Sequence, residues 1–263
     1  MKNLDVKSII LVIFMGQSNM AGRGDASKSV QCGGYAGKEF RAISDPVKFY
    51  PIEEPFGYYE NRLGEIDDGK RKRGSMVSAF VDTYYQRTGR SIVAVSASIG
   101  GTASNQWVNQ FVNDAATRLE KAKAFLNAHD IIPEHIYMVW CQGETDGDNQ
   151  VSADEYMDNF NKIFKEMQTK GIEKCFMIQI GHFNYIDYPQ GDGVRSGEQL
   201  DMQYQIIRKA QENICRENDD IIMAASFDSF ITLMRDQYHY YHEAYNQVGA
   251  FASETVARVE ASF

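Results

Sequence analysis

The sequence is poor in several features that mark whole classes of proteins. Among 263 residues there are only 5 prolines, while apolar and charged residues make up 43% and 24%. This composition, without any low-complexity run, excludes disordered, collagen-like and coiled-coil chains. Basic residues are also scarce, because 27 Lys and Arg stand against 36 Asp and Glu, for a net charge of −9. A chain with this balance lacks the positive charge that binds a phosphate backbone, so we expect no nucleic-acid partner.

Long apolar runs are missing as well. The strongest one, at residues 8–15, falls well short of the roughly 20 residues that a membrane-spanning helix needs. No small-residue cleavage site follows it, so we interpret it as a buried strand and expect no membrane partner.

Cysteines are few and form no C-x-x-C pair. Two of the four lie beside apolar runs, where cysteine usually behaves as a small buried hydrophobic residue. We therefore expect reduced thiols and a cytoplasmic location, with export of a trimmed form as the alternative. The four are Cys32, Cys141, Cys175 and Cys215.

The length and the alternation of patterns predict a single α/β domain over residues 1–263. Short β-branched runs alternate with amphipathic stretches of helical length, which is typical of a parallel sheet covered on both faces. The predicted fold is a three-layer, flavodoxin-like α/β/α sandwich with roughly five parallel strands. The predicted strands are 9–14, 92–95, 136–140, 175–180 and 221–225, and the predicted helices are 74–87, 108–129, 153–170, 197–217 and 243–259.

Two segments interrupt this alternation. Residues 25–73 are rich in Gly, Pro, Tyr and charge, and residues 181–195 follow the fourth predicted strand. Long loops inside a single domain are more often binding elements than linkers, so both are expected to lie near a ligand.

Candidate chemistry lies just after the predicted strands, where parallel sheets bind ligands. Ser18 comes directly after the first strand, between glycines that permit a tight turn, and could present a nucleophilic hydroxyl. The alternative is that it caps the next helix. Asp236 and His239 are three residues apart, a spacing at which a carboxylate can orient an imidazole.

Other residues suit the binding of an oxyanion or a substrate. The backbone at Gly100 and Gly101 and the amide of Gln142 could donate hydrogen bonds to a developing negative charge. Gln17 and Asn19, on either side of Ser18, are candidate substrate contacts, as is Trp107, which could stack on a sugar ring. No zinc, nucleotide or dinucleotide motif is present, and the acidic residues 144–155 do not match a calcium loop, so we expect neither metal nor cofactor.

Taken together, the motifs resemble the SGNH (GDSL-like) hydrolase superfamily. Within it they are similar to the branch of sialate O-acetylesterases and acetylxylan esterases of carbohydrate esterase family six. The matching blocks are 16–22 (GQSNMAG), 100–104 (GGTAS) with Trp107, 140–146 (WCQGETD), 208–211 (RKAQ), and 236–239 (DQYH) with Tyr245 and Gly249.

The resemblance implies a role for each matching residue. Ser18 would be the nucleophile, His239 the general base and acid, and Asp236 the carboxylate that orients it. The Ser18 and Gly101 backbone N–H groups and the Gln142 side chain would form the oxyanion hole. His239 is preferred to His242 because its spacing to the following Tyr and Gly matches the family.

The expected function is removal of O-acetyl groups from a carbohydrate, either sialic acid or an acetylated xylan-type sugar, through an acyl-enzyme. One alternative is a lipase-like or thioesterase activity on long acyl chains; however, the two loops are too polar to form an apolar groove. The other is a catalytically silent carbohydrate-binding protein, against which the complete set of Ser18, Asp236 and His239 argues.

Overall fold

The computed structural model describes residues 8–262. The strands are β1 (Ile9–Gly16), β2 (Gly37–Phe40), β3 (Phe49–Pro51), β4 (Ser91–Ser98), β5 (His135–Cys141), β6 (Lys174–Gln179) and β7 (Ile221–Ser226). The helices are α1 (Ser18–Ala21), α2 (Val77–Thr88), α3 (Ser104–Gln106), α4 (Val112–Asn127), α5 (Glu144–Asp148), α6 (Ala153–Thr169), α7 (Gly197–Glu217) and α8 (His242–Glu260). All five predicted strands and all five predicted helices are confirmed, with ends that differ by a few residues.

The strands form one sheet in the order β3-β2-β4-β1-β5-β6-β7. β1 is the central strand, and all eight of its residues are buried. It pairs in parallel with β4 on one side and with β5 on the other. β2, β3 and β4 all lie on one side of β1, and β5, β6 and β7 lie on the other, so the order of the strands reverses at β1. Ligands of open α/β sheets bind beyond the carboxyl end of the strands at such a reversal.

Helices cover both faces of the sheet, which confirms the three-layer architecture. Alternate β1 residues enter two separate cores, because successive strand side chains point to opposite faces. Ile9, Leu11 and Ile13 pack with apolar residues of α4, α6 and α7, whereas Ile10 and Val12 pack with those of α2 and α8.

The sheet has seven strands, and the prediction of roughly five is corrected by β2 and β3. Both lie inside residues 25–73, which the sequence presented as a loop excursion. β2 runs parallel to β4, and β3 runs antiparallel to β2 at the sheet edge. Each is at most four residues long, and polar or charged residues interrupt their apolar pattern.

Buried charges hold the rest of residues 25–73 against the sheet. The fully buried Arg118 of α4 pairs with Asp114 at 2.9 Å. Its guanidinium also donates to the backbone carbonyls of Glu60 and Ile66, at 2.8 and 3.3 Å. Lys72 is buried and its ammonium donates to the Ser98 hydroxyl at 2.8 Å. This segment is therefore anchored along much of its length.

Residues 181–195 form turns without helix or strand, as predicted. Phe183 is buried and packs edge-on against Tyr204 and Tyr238. The Asn184 N–H donates to the Gln237 carbonyl at 3.1 Å. This loop thus supports the segment that carries Asp236 and His239. In the part of the chain that the structure describes, no helix is both long enough and apolar enough to cross a membrane.

Candidate active site

Ser18 lies at the point where the central strand turns into helix α1. The carbonyl of Gln17 accepts the N–H groups of Met20 and Ala21 at 3.0 and 2.8 Å, which closes the turn. The residue at the capping position is Gln17, and neither it nor Ser18 makes a side-chain capping bond. Among residues 8–262 the Ser18 hydroxyl has no hydrogen-bond partner, so its role here is not that of a helix cap.

A cavity of about 340 Å³ opens over the carboxyl ends of β1, β4 and β5. Five of the candidate oxyanion, nucleophile, base and substrate residues from the sequence line it: Gln17, Ser18, Gly100, Gly101 and His239. Groups from distant parts of the chain therefore meet at one edge of the sheet, as predicted.

Asp236 holds the imidazole of His239 in place. Nδ1 of His239 lies 3.0 and 3.1 Å from the two carboxylate oxygens. The Asp236 carboxylate also accepts the backbone N–H groups of Tyr238 and His239, at 2.9 and 2.8 Å. Burial opposes ionisation of this carboxyl, but the bonds from the imidazole and the two N–H groups outweigh it and lower the pKa of Asp236. Asp236 is thus an anion that fixes the tautomer and direction of the ring.

Ser18 and His239 share the cavity but are not hydrogen-bonded to each other in this structure. Such bonds are often long in an enzyme without substrate and tighten when the reacting complex forms. Because Nδ1 is held by Asp236, Nε2 is the ring nitrogen left to take a proton from a nucleophile.

The loop after β4 offers backbone N–H groups to the cavity. The Gly100 N–H is occupied, because it donates to Asp68 Oδ1 at 2.7 Å. A Cβ at Gly100 would come within 2.3 Å of the Arg23 guanidinium and 3.3 Å of Ser18 Cβ, so a larger residue here would displace the Arg23 side chain. Gly101 follows with a φ of +75°, and its N–H has no acceptor among the described residues. It is therefore available to an oxyanion.

The side chain of Gln142 does not reach the cavity, contrary to the prediction. The residue is fully buried, and its amide Nε2 donates to the carboxylate of Asp146 and, at 2.9 Å, to the Thr102 carbonyl. It also lies 3.3 Å from Gln17 Oε1. Asp146, four residues further along the chain, thus turns the Gln142 amide inward.

Gln17 presents an amide to the cavity instead. Its Oε1 accepts the N–H groups of Gly143 and Thr145, at 3.2 and 3.3 Å, besides that of Gln142. Gln17 Nε2 has no acceptor within residues 8–262. Since Gln17 lines the cavity beside Ser18, its Nε2 is a side-chain donor fixed close to the Ser18 hydroxyl.

Two other predicted substrate contacts are corrected by the structure. Trp107 is fully buried, where it packs against Trp140 and donates its indole N–H to Thr102 at 2.9 Å. Asn19 is 1% exposed, and its amide donates to Glu144 and to the Tyr238 carbonyl while accepting the Tyr245 hydroxyl. Neither side chain is free to contact a sugar, and both hold the site together.

The cavity also contains charged residues to which the sequence reasoning gave no functional role. Arg23 and Arg71 lie on its wall, as do Glu144 and Asp148 of α5. Burial raises the pKa of both carboxyls. The basic run at residues 70–73, in an otherwise acidic chain, was the signal that could have pointed to Arg71.

A family model described as carbohydrate esterase, sialic acid-specific acetylesterase, matches residues 8–258. A solved Arabidopsis thaliana protein is similar, with a TM-score of 0.67 and 19% identity over 96% of this chain and 97% of that one. NanS is similar at a TM-score of 0.60 and 11% identity, over 97% of both chains. No curated protein sequence matches.

A carbohydrate acetylesterase from Xanthomonas citri aligns with a TM-score of 0.55 and 15% identity, over 95% of this chain but 56% of that one. At these identities the similarity to solved structures concerns the fold. The match to the family model covers nearly the whole chain and includes every residue that lines the cavity.

Proposed function

The chain belongs to the carbohydrate esterase family of sialic acid-specific acetylesterases, and on that premise we propose that Ser18 is the nucleophile with which it removes acetyl groups from carbohydrates. The observation that carries this proposal is the meeting of Ser18, His239 and Gly101 in one cavity, with Asp236 bound to the far nitrogen of the imidazole.

The proposed mechanism is acyl transfer in two steps. The Ser18 hydroxyl attacks the acetyl carbonyl carbon while His239 Nε2 takes its proton, and the resulting imidazolium then protonates the departing sugar oxygen. In the second step His239 activates a water, which attacks the acetyl-enzyme and releases acetate and Ser18. Asp236 stabilises the imidazolium in both steps.

The oxyanion of each tetrahedral intermediate would be stabilised by the backbone N–H groups of Ser18 and Gly101. We propose Gln17 Nε2 as the third donor, in the place expected for Gln142. Gln142 then has an indirect role, because its amide donates to Gln17 Oε1 and helps to orient the Gln17 side chain. Loss of an oxyanion donor typically lowers turnover by about 10²–10³.

The test of the mechanism is Ser18→Ala, assayed by release of acetate from an O-acetylated sugar. Activity should fall by at least about 10⁴-fold, as for other triads that lose a member, while the thermal unfolding midpoint stays near that of the parent. A folded Ser18→Ala protein that still hydrolysed the ester at the parental rate would refute the proposal.

For the substrate we propose an acidic sugar whose carboxylate binds Arg71. The Arg23 guanidinium is committed to the Asp68 carboxylate at 2.8 Å. The Arg71 side chain is 68% exposed; its Nε donates to the Asp68 backbone carbonyl at 3.2 Å, and its Nη2 lies 3.9 Å from the carboxylate. In a protein of net charge −9, an anionic substrate needs a local cation, and the guanidinium fork matches a carboxylate.

The test of this preference is Arg71→Gln, with Arg73→Gln as the matched exposed control in the same basic run. The change at Arg71 should raise KM about tenfold or more for an O-acetylated sialic acid and leave a neutral acetylated xylose unaffected. Equal effects on both sugars, or an equal effect of the Arg73 variant, would contradict it.

A further inference from the structure

Glu144 is a cavity residue with one oxygen atom that the protein leaves unused. It is the first residue of α5 and follows the end of β5 by three positions. The side chain is only 4% exposed and lies on the wall of the cavity that contains Ser18 and His239. Oε1 accepts the Asn19 amide at 2.6 Å, whereas Oε2 is buried and has no partner within the described residues.

An unpartnered carboxyl oxygen in a residue that lines the cavity is a candidate for contact with a ligand. Nearly all buried polar atoms in folded proteins have a hydrogen-bond partner, since leaving one without a partner costs stability. The neighbouring buried carboxyl, Asp146, follows this rule, because it accepts the N–H and hydroxyl of Ser104 and the amide of Gln142. Glu144 departs from this rule only at Oε2, which accepts no hydrogen bond from the described residues.

The position of Glu144 ties that oxygen to the reacting groups. The Asn19 amide that holds Oε1 also donates to the carbonyl of Tyr238, the residue before His239, at 3.1 Å. Asn19 itself directly follows Ser18. The carboxyl is therefore fixed relative to both the nucleophile and the base, as a group that orients a substrate must be.

We propose that Glu144 determines specificity for the sugar, and that its Oε2 hydrogen-bonds a hydroxyl group of the carbohydrate next to the acetyl ester. This inference rests on the proposed function. A hydroxyl both donates and accepts, so it can donate to an ionised Glu144 or accept from a protonated one. Burial raises the pKa of Glu144, and the hydroxyl pairs with either form. His239 keeps the role of moving protons, and Glu144 orients the sugar.

The test compares an O-acetylated sugar with p-nitrophenyl acetate, which has no hydroxyl group. Glu144→Ala should lower the ratio of kcat/KM for the sugar to kcat/KM for p-nitrophenyl acetate by about 10- to 100-fold, the usual effect of losing a hydrogen bond to a buried carboxyl. Glu144→Gln should recover most of that ratio, because its amide can still bind Asn19 and donate to a hydroxyl. If Glu144→Ala does not fold, Glu144→Leu, which has nearly the same volume, takes its place.

Asn19→Ala is a graded comparison, since it breaks the same bond to Glu144 from the other side and leaves Oε2 present but no longer fixed. It should lower the ratio in the same direction as Glu144→Ala, and by less. If the Glu144 variants instead lost both activities in equal proportion, Glu144 would be a structural residue and the inference would be wrong. That result would leave the proposed function intact, because only an active Ser18→Ala protein contradicts the nucleophile.

Discussion

Replacing Lys72 by methionine measures what it costs this fold to bury a charge beneath its active-site loops. The lysine is 1% exposed, and its ammonium donates to the Ser98 hydroxyl and carbonyl and to the Ser96 hydroxyl, at 2.8, 3.2 and 3.2 Å. Burial lowers the pKa of Lys72 to about 8, although the negative charge of Asp68 acts in the opposite direction. Methionine has a similar length and no charge, so it fills the same space.

The magnitude follows from the difference between that pKa and the ordinary value of 10.5. Between these two values the unfolded chain binds more protons at Lys72 than the folded chain, so the free energy of unfolding rises with pH. The cost of burying the ammonium is fully present below about pH 8 and disappears above about pH 10.5. At about 1.4 kcal/mol per pKa unit, the rise between pH 7 and pH 10 is about 2.5 kcal/mol.

The assay is urea unfolding of the parent and Lys72→Met at pH 7 and pH 10. Tyrosines and other groups also titrate in this range, but they contribute equally to both proteins, so the difference between the two isolates Lys72. Lys70→Met, a change at an exposed lysine two residues earlier, is the control and should behave as the parent. An equal stability difference between parent and Lys72→Met at both pH values would show that burial does not shift the titration of Lys72.

Three further substitutions test the site. Trp107→Phe should cost about 1 kcal/mol of stability, because the indole bond to Thr102 is lost, and leave KM for the sugar unchanged; a raised KM would place Trp107 in contact with substrate after all. Gly101→Ala should lower kcat at least tenfold in acetate release, since a φ of +75° strains alanine and shifts the N–H, although its Cβ has open space; parental turnover would show that alanine leaves the N–H in position. Asp236→Asn should lower kcat by about 10³–10⁴ without unfolding the protein, and a smaller loss would show that the His239 ring is oriented by other contacts.

The sequence was a reliable guide where local pattern and packing agree. β1 reads as one continuous apolar run because the sheet buries it on both faces, and Ser18 follows directly from its end. β2 and β3 escaped prediction because short edge strands gain their order from neighbours. β2 becomes a strand by pairing with β4, a contact between residues more than fifty positions apart.

The direction of side chains in the site was harder to predict than their presence there. Gln142 occupies the expected motif, but the amide turns toward Asp146, whose burial against Ser104 depends on α3 and α6. Trp107 was a plausible sugar platform as a lone aromatic beside a glycine loop. A π-helical turn at Trp107–Phe111 instead points it into the core beside Trp140. Both outcomes depend on contacts distant in sequence.

The buried Arg118 of α4 has a consequence for redesigning this enzyme. Its guanidinium holds carbonyls at Glu60, Ile66 and Ser96 together, so residues 25–73 cannot be exchanged as a module. A graft from a relative would leave an uncompensated charge in the interior unless it brought its own version of α4. Within residues 181–195, the exposed stretch 192–194 is the better place to insert sequence, because Phe183 and Asn184 contact the segment that carries Asp236 and His239.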